Sequence, residues 1–362
     1  MRLKPFLLGF GVIAIILTLL PLIPADYWWI RMFDFPHLQL TALTLLAILV
    51  YFIAFDIKQY KDYLFMFALI FCFLYQFGKI MPYTPAYEKE MFESTSKDAS
   101  NDLKLYAANV LQENESHQKL AQQIANRNAD ILILTETDQV WLNAIRKELP
   151  SDYQYKVEVP LPNTYGMLLY SKLPLIEPSV HYLVDDSIPS IHTKFRMKSG
   201  KVVQLYAIHP TPPMPQENPK STDRDAEMMI IAKMAKESNL PVIVAGDFND
   251  VAWSATSLLF QRVSGLLDVR VGRGFFCTFN AKKMLLRWPL DQVYVSPEFR
   301  LRGMDSCETI DSDHFPFYVE LSHEPDKTKE QLLEPTTDEE LEKANKQIEK
   351  LKEERQPKKV IY

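Results

Sequence analysis

Polar residues able to bind a cation or move a proton recur at the edges of short apolar runs in this sequence. Asn109 follows Leu103–Ala108, and Glu136 follows Ile131–Thr135. His209 follows Val202–Ile208, and Asp247 and Asn249 follow Val242–Ala245 within Gly-Asp-Phe-Asn. Asp291 precedes Gln292–Val295, and Asp313 and His314 stand side by side ahead of Phe317–Leu321. Carboxylates and an amide suit a hard divalent cation that keeps several waters. A histidine near an aspartate suits proton transfer or the stabilisation of developing charge. Taken singly, each residue has an ordinary reading. Glu136 opens a helix or turn, Asn109 ends a strand, Asn249 makes an Asx turn, and Asp247 and Asp291 occupy turns. His209 fills a buried strand end, and Asp313 with His314 is a surface pair. The whole set in this order carries more than any member.

Runs of this length suit strands, and Gly166–Tyr170 is another. Between them lie amphipathic stretches, Ser116–Asn128 with Leu120 and Ile124 on one face, and Asp223–Ser238. Strands interleaved with helices predict an α/β domain of roughly 220 residues. In such domains the strand ends are where side chains converge on a ligand.

With these residues in place, the stretch Leu103–Leu321 resembles the endonuclease/exonuclease/phosphatase superfamily. Its members include abasic-site endonucleases, pancreatic-type deoxyribonucleases, neutral sphingomyelinases and inositol polyphosphate 5-phosphatases. The resemblance implies a four-layered α/β sandwich, two packed mixed sheets flanked by helices, and a phosphoric ester hydrolase dependent on Mg2+ or Mn2+. It implies Glu136 as metal ligand, Asn109 beside it and Asp313 supporting the metal from the other side. Asp247 would orient or deprotonate the attacking water, and Asn249 would donate to a phosphate oxygen. His314 would stabilise charge on the phosphate with its ring held by Asp291, and His209 would lie near the leaving group. Arg224, after the Pro-rich loop Pro210–Pro219, is a further candidate for phosphate contact; a solvated helix-face arginine is the other reading. Arg287-Trp288-Pro289, ahead of Asp291, has two readings, a substrate rim and, preferred for Trp288, packing; the strand Tyr165–Lys172 reads as structural.

The first 81 residues read differently. Phe6–Ile23 is an uncharged run of about eighteen residues, enough to cross a hydrocarbon core. Leu38–Phe55 is a second, and Tyr63–Phe77 a third and shorter one, extensible to Met81. Tyr27, Trp28 and Trp29 sit where interfacial aromatics collect. The alternative of a cleaved leader lacks a small-x-small site after the first run. Three transmembrane helices are expected. Arg2 and Lys4 share a side with Lys58 and Lys61, against Arg31, Lys79 and Lys89, so the large domain is expected on the extracytoplasmic side. Anchored members of the superfamily occur in bacteria, which implies an inner membrane.

Residues 82–102 read as a linker and 323–362 as a charged tail, helical or disordered and solvated rather than docked. Cys277 and Cys307 read as isolated buried thiols, with a disulfide as the alternative. The formal net charge is −6, and no aromatic-and-basic insertion stands out, which disfavours a broad duplex-binding face. The expected substrate is a phosphoester in a nucleic acid, lipid headgroup or nucleotide; protein partners are left open. The alternative function is a membrane-tethered binding or signalling module on the same fold, with little or no turnover.

Overall fold

The computed structural model describes residues 3–355. Arg2 of the basic flank and residues 356–362 of the tail lie outside them.

Two parallel strands, β1 (Asp102–Asn109) and β2 (Ile131–Thr135), start the first sheet. Every β2 side chain is buried. The crossover between them holds α5 (His117–Arg127), which lays Leu120, Ala121 and Ile124 on the sheet. It stops at Asn128, whose φ of 49° is the left-handed turn that asparagine tolerates. After α6 (Gln139–Glu148) come β3 (Tyr155–Val159) and β4 (Met167–Ser171), both antiparallel additions. The last two strands, β11 (Phe299–Ser306) and β12 (Phe317–His323), close the order β11-β12-β1-β2-β4-β3.

The second sheet repeats the plan. Its parallel centre is β7 (Val202–Ile208) and β8 (Val242–Asp247), spanned by α7 (Thr222–Glu237). With β5 (Leu175–His181), β6 (Ser190–Arg196), β9 (Leu267–Asp268) and β10 (Asp291–Val295) the order is β5-β6-β7-β8-β10-β9. The two sheets meet through one apolar layer, with Leu105, Ala107, Ile133 and Leu169 from the first against Leu205, Ala207, Ala245 and Val293 from the second. Outside them, α5 and α6 cover the first sheet, while α7 and α8 (Ala255–Ser264) cover the second. This is the four-layered α/β sandwich the sequence implied.

In the N-terminal region, α1 (Leu3–Leu19) continues through a short 3-10 turn to Leu22, and α4 (Tyr60–Ile80) continues likewise to Tyr83. Both are long and apolar enough to cross a membrane, at 20 and 24 residues. The middle segment differs from expectation. It is α2 (Trp28–Arg31) and a 3-10 turn to Asp34, then α3 (His37–Phe52), bent by 73° at Phe35-Pro36. Proline at the break removes a backbone donor and forces the turn. The expected short third run is therefore the longest helix, and the second is the shortest. Lys4 pairs with Asp62, placing the start of α1 beside the start of α4, as the charge grouping assumed.

These helices do not stand apart from the sandwich. Ile80 and Tyr83 share one buried cluster with Val251, Trp253, Val271 and Leu290 of the sandwich. Tyr83 Oη donates to Ala252 O at 2.8 Å, and Trp253 Nε1 to Asp34 O at 2.9 Å. The backbone pairs as well, Trp28 N to Pro219 O at 2.9 Å and Ser221 N to Asp26 O at 2.8 Å.

The tail is also docked, where a solvated or disordered segment was preferred. A reciprocal cap forms as Glu340 N donates to Thr337 Oγ1 at 3.2 Å and Thr337 N to Glu340 Oε2 at 2.8 Å. It starts α9 (Asp338–Arg355), which packs on α7 and α8. Leu341, Ile348 and Leu351 alone are sparse, but Ala344 completes a stripe between them and is fully buried. Small size lets α9 approach α7 closely there. All three cysteines are free.

Candidate active site

β1 and β8 lie at the centres of facing sheets, and their C-terminal ends bring Asn109 opposite Asp247. Asn109 Nδ2 donates to Asp247 Oδ2 at 2.9 Å and to Glu136 Oε1 at 2.6 Å. One amide thus joins two carboxylates from two sheets. Its own oxygen accepts from Leu111 N at 3.0 Å, which fixes the orientation of the amide. Glu136, just past β2, sits at φ 59°, uncommon for a glutamate. Hydrogen bonds on either side hold it there, Val110 N to Thr135 O and Thr137 N to Gly166 O.

The Gly-Asp-Phe-Asn segment is shaped by its glycine. Gly246 has φ 142°, and a Cβ there would meet Ile208 O at 2.0 Å. The turn continues through Asn249 at φ 49°, whose backbone N–H donates to Asp247 Oδ1 at 2.9 Å. The Asn249 amide donates to Pro210 O at 3.0 Å, so in this arrangement it ties the β7 loop to the β8 loop.

From the C-terminal side, Ser312 anchors the last loop. Its hydroxyl donates to Asn109 O at 2.8 Å and accepts from His314 N at 3.0 Å. His314 Nδ1 then donates to Asp291 Oδ2 at 2.7 Å, and Nε2 faces Asp247 Oδ2 at 3.7 Å. Burial works against charge on His314, but Asp291 and Asp247 outweigh it and its pKa is pushed up to about 10. The pKa of His209 is shifted down by contrast: burial outweighs Asp247, whose Oδ2 lies 3.9 Å from Nε2, and among the described residues Nδ1 is buried without a partner. Asp247 is held low; burial opposes this, and the two histidines overcome it.

Burial and its acidic neighbours Asp247 and Asp313 push Glu136 up to about 7, against the Asn109 bond. Among the described residues, no lysine or arginine lines the pocket around it. A carboxylate in that position fits a cation: Glu136, His209 and Asp247 offer ligand atoms within 4.8 Å of one another, and so do Asp247, Asp291 and His314. Asp313 lines the same pocket, although its carboxylate belongs to neither group.

Eight of the nine residues singled out from the sequence therefore surround one pocket or its floor. Arg224 does not. It is buried behind the Asn249 loop, donating to Asp225 Oδ1 at 2.9 and 3.0 Å and to Asn249 O at 3.0 Å, with Asp250 Oδ1 at 3.3 Å. With its donors used on these groups it braces the loop from beneath instead of meeting phosphate. Asp250, which the sequence reading passed over, is its partner and also receives Ser254 Oγ at 2.5 Å. A second acid in Gly-Asp-Phe-Asn-Asp was the available signal. Tyr165 and Trp288, read as structural, line the pocket, as do Trp28, Met32 and Phe35 from before α3.

Residues 106–314 match the profile of the Endonuclease/Exonuclease/phosphatase family. No curated protein matches the chain in sequence. Among solved structures, D. rerio TDP2 complexed with single-strand DNA product is similar at 18% identity and a TM-score of 0.52, covering 62% of this chain and 100% of that one. An endonuclease/exonuclease/phosphatase from Bacteroides vulgatus is similar at 17% identity and 0.51, covering 62% and 99%. At these identities the likeness is one of fold. The family match, spanning the strands that carry every pocket carboxylate and histidine described above, establishes that this chain belongs to the endonuclease/exonuclease/phosphatase family.

Proposed function

We propose that the chain is a membrane-anchored hydrolase of phosphoesters (a phosphodiesterase, nuclease or phosphatase) that works with Mg2+ or Mn2+. The observation that carries this reading is Asn109 bridging Glu136 and Asp247, with the His314–Asp291 pair closing the same pocket. The apolar helices support the anchor, and the charge grouping supports an extracytoplasmic catalytic domain at a bacterial inner membrane.

Glu136 would hold the cation with Asn109 beside it and Asp313 facing from the other wall. When bound, the cation supplies charge neutralisation at the phosphate. The remaining steps belong to the side chains. Asp247, kept ionised chiefly by the charged His314, accepts the proton of the attacking water. His314, kept protonated by Asp291, places positive charge where the phosphorane oxygens gain negative charge. His209, with a free buried Nδ1, faces the leaving oxygen. Asn249 positions the Asp247 loop and stands within reach of a phosphate oxygen. The intact ligand set favours this over a binding or signalling module without turnover.

The test uses the full chain in nanodiscs with bis(4-nitrophenyl) phosphate and 4-nitrophenyl phosphate. Turnover should require Mg2+ or Mn2+ and vanish with chelator. Glu136→Gln and His314→Ala should each lower it by at least about 100-fold without unfolding the protein. Absence of turnover on both esters, and on DNA, RNA and nucleotides, with either metal would refute the reading.

A further inference from the structure

The pocket has a polar floor and apolar walls. Its volume is about 650 Å3, in the range of small-molecule sites. The floor is the cluster already described. The walls are Trp28, Met32 and Phe35 from the segment joining α1 to α3, facing Met214, Phe279 and Trp288 of the catalytic half. A membrane anchor that served only as a tether would have no reason to place Trp28, Met32 and Phe35 in the lining of this pocket.

Among the described residues no lysine or arginine lines this space. The two arginines adjacent in sequence to lining residues are engaged elsewhere, and Lys282 and Lys283 are exposed on the loop between Phe279 and Trp288 without lining the pocket. Arg31 donates to Pro21 O at 2.9 Å, Ile23 O at 2.7 Å and Asp34 Oδ2 at 3.1 Å. Arg287 stacks on Phe315 with 4.8 Å to the ring centre. A nucleic acid or polyphosphate carries successive phosphates, and binding them relies on such cations. A single phosphoester flanked by hydrocarbon does not.

Exposed apolar side chains occur in and beside the lining, next to exposed Lys282 and Lys283. Met32 is 49% exposed, and Met284 and Leu285 are 76% and 78% exposed. Gln39 Nε2 in the first turns of α3 donates to Leu285 O at 2.9 Å, so this loop sits at the end of the apolar helices. In a bilayer these side chains lie at the headgroup boundary, where exposed apolar residues are accommodated.

We infer that the anchor segment 28–35 forms a hydrocarbon subsite, and that the substrate is a phosphoester borne on a bilayer-embedded lipid. This rests on the hydrolase reading above. The headgroup phosphate reaches the polar floor while the first carbons of the chain lie on Trp28, Met32 and Trp288, and the tail remains in the leaflet. Hydrolysis consumes one water: its oxygen bonds to phosphorus, the bond from phosphorus to the leaving oxygen breaks, and that oxygen keeps the electron pair and takes a proton.

The experiment compares substrates that share a headgroup and differ in the hydrocarbon. The full chain with Mg2+ in phosphatidylcholine nanodiscs is given glycerol 3-phosphate or dioleoyl phosphatidic acid, and glycerophosphoglycerol or dioleoyl phosphatidylglycerol, with bis(4-nitrophenyl) phosphate as soluble reference. The dioleoyl member of at least one pair should be cleaved at least about tenfold faster than its soluble counterpart. Met32→Glu and Leu285→Glu alter exposed side chains and should each lower that ratio at least about fivefold. Equal rates within both pairs, no cleavage of either lipid, a ratio unmoved by both substitutions, or preference for a single-stranded oligonucleotide would overturn the inference. Turnover of bis(4-nitrophenyl) phosphate in those cases leaves the hydrolase reading standing; no turnover of any substrate sinks that reading first.

Discussion

Asn109 is the smallest unit in which the proposed chemistry can be tested. Its amide holds Glu136 and Asp247 in register, so Asn109→Ala should separate them and lower activity by about 10- to 100-fold, as loss of an orienting partner does at metal sites. Asn109→Asp should be worse, because it adds a third carboxylate to the crowd; initial rates at saturating Mg2+ would rank the two. Asp291→Asn should leave the His314 ring near its place but without its charge partner, lowering kcat more than it raises KM. A second prediction lies away from the pocket. Burial raises the Glu227 carboxyl from its ordinary 4.5 to about 8, and Glu90 likewise. Both bind a proton in the folded state that the unfolded state has released. Their contribution to stability is therefore fully present below pH about 4.5 and declines as pH rises toward about 8. Glu227→Gln should flatten that decline and raise Tm at pH 8 by a few degrees, roughly 2–4 °C per kcal/mol; an unchanged slope would count against a buried, protonated Glu227. The site residues were legible because each follows a short apolar run and the order is distinctive. Arg224 was misplaced because a sequence shows that an arginine opens a helix, not that Asp225 and Asp250 already claim its donors.

At the scale of elements, the interior of the sandwich was open to reading and its margins were not. β2 and β7 fall on the residues their apolar runs marked out, Ile131–Thr135 and Val202–Ile208. The strands passed over were β3, β5, β9 and β11, the four sheet edges, together with β6. An edge strand has one unpaired side and less need for continuous apolar residues; β5 carries exposed Glu177 and Pro178 in succession between half-buried neighbours. β6 is buried, but His192, Thr193 and Lys194 disguise it. The turn after β8 makes a sharp test. Gly246→Ala would force a Cβ to within 2.0 Å of Ile208 O, at a residue whose φ also disfavours it. A loss of at least about 2 kcal/mol in denaturant unfolding is expected, with activity falling in parallel as Asp247 shifts. For the tail, Ala344→Glu should pull α9 from α7, because the fully buried site cannot host a charge. Protease should then cut near Pro335 faster, while an unchanged cleavage rate would mean that α9 contributes nothing to the fold.

At the scale of the molecule, the N-terminal helices and the sandwich share a core. Ile80, Tyr83, Trp253 and Leu290 are buried together, so a chain beginning at Thr84 should expose that patch. Such a truncation is expected to bind apolar dye and associate at micromolar concentration unless detergent covers it; a monodisperse, stable product would show the cluster to be dispensable. The apolar runs were easy to see in the sequence, yet their partnership with Trp253 was not, since no periodicity records which faces of two distant segments meet. The shared core also orders events during synthesis. Residues 28–35 leave the ribosome well before the strands that carry Asp247 and His314, so the pocket is complete only once both segments have folded together. On the proposed anchoring, a chain whose N-terminal helices were misplaced would lack part of its own pocket, so that competence for the reaction and placement of those helices become a single condition.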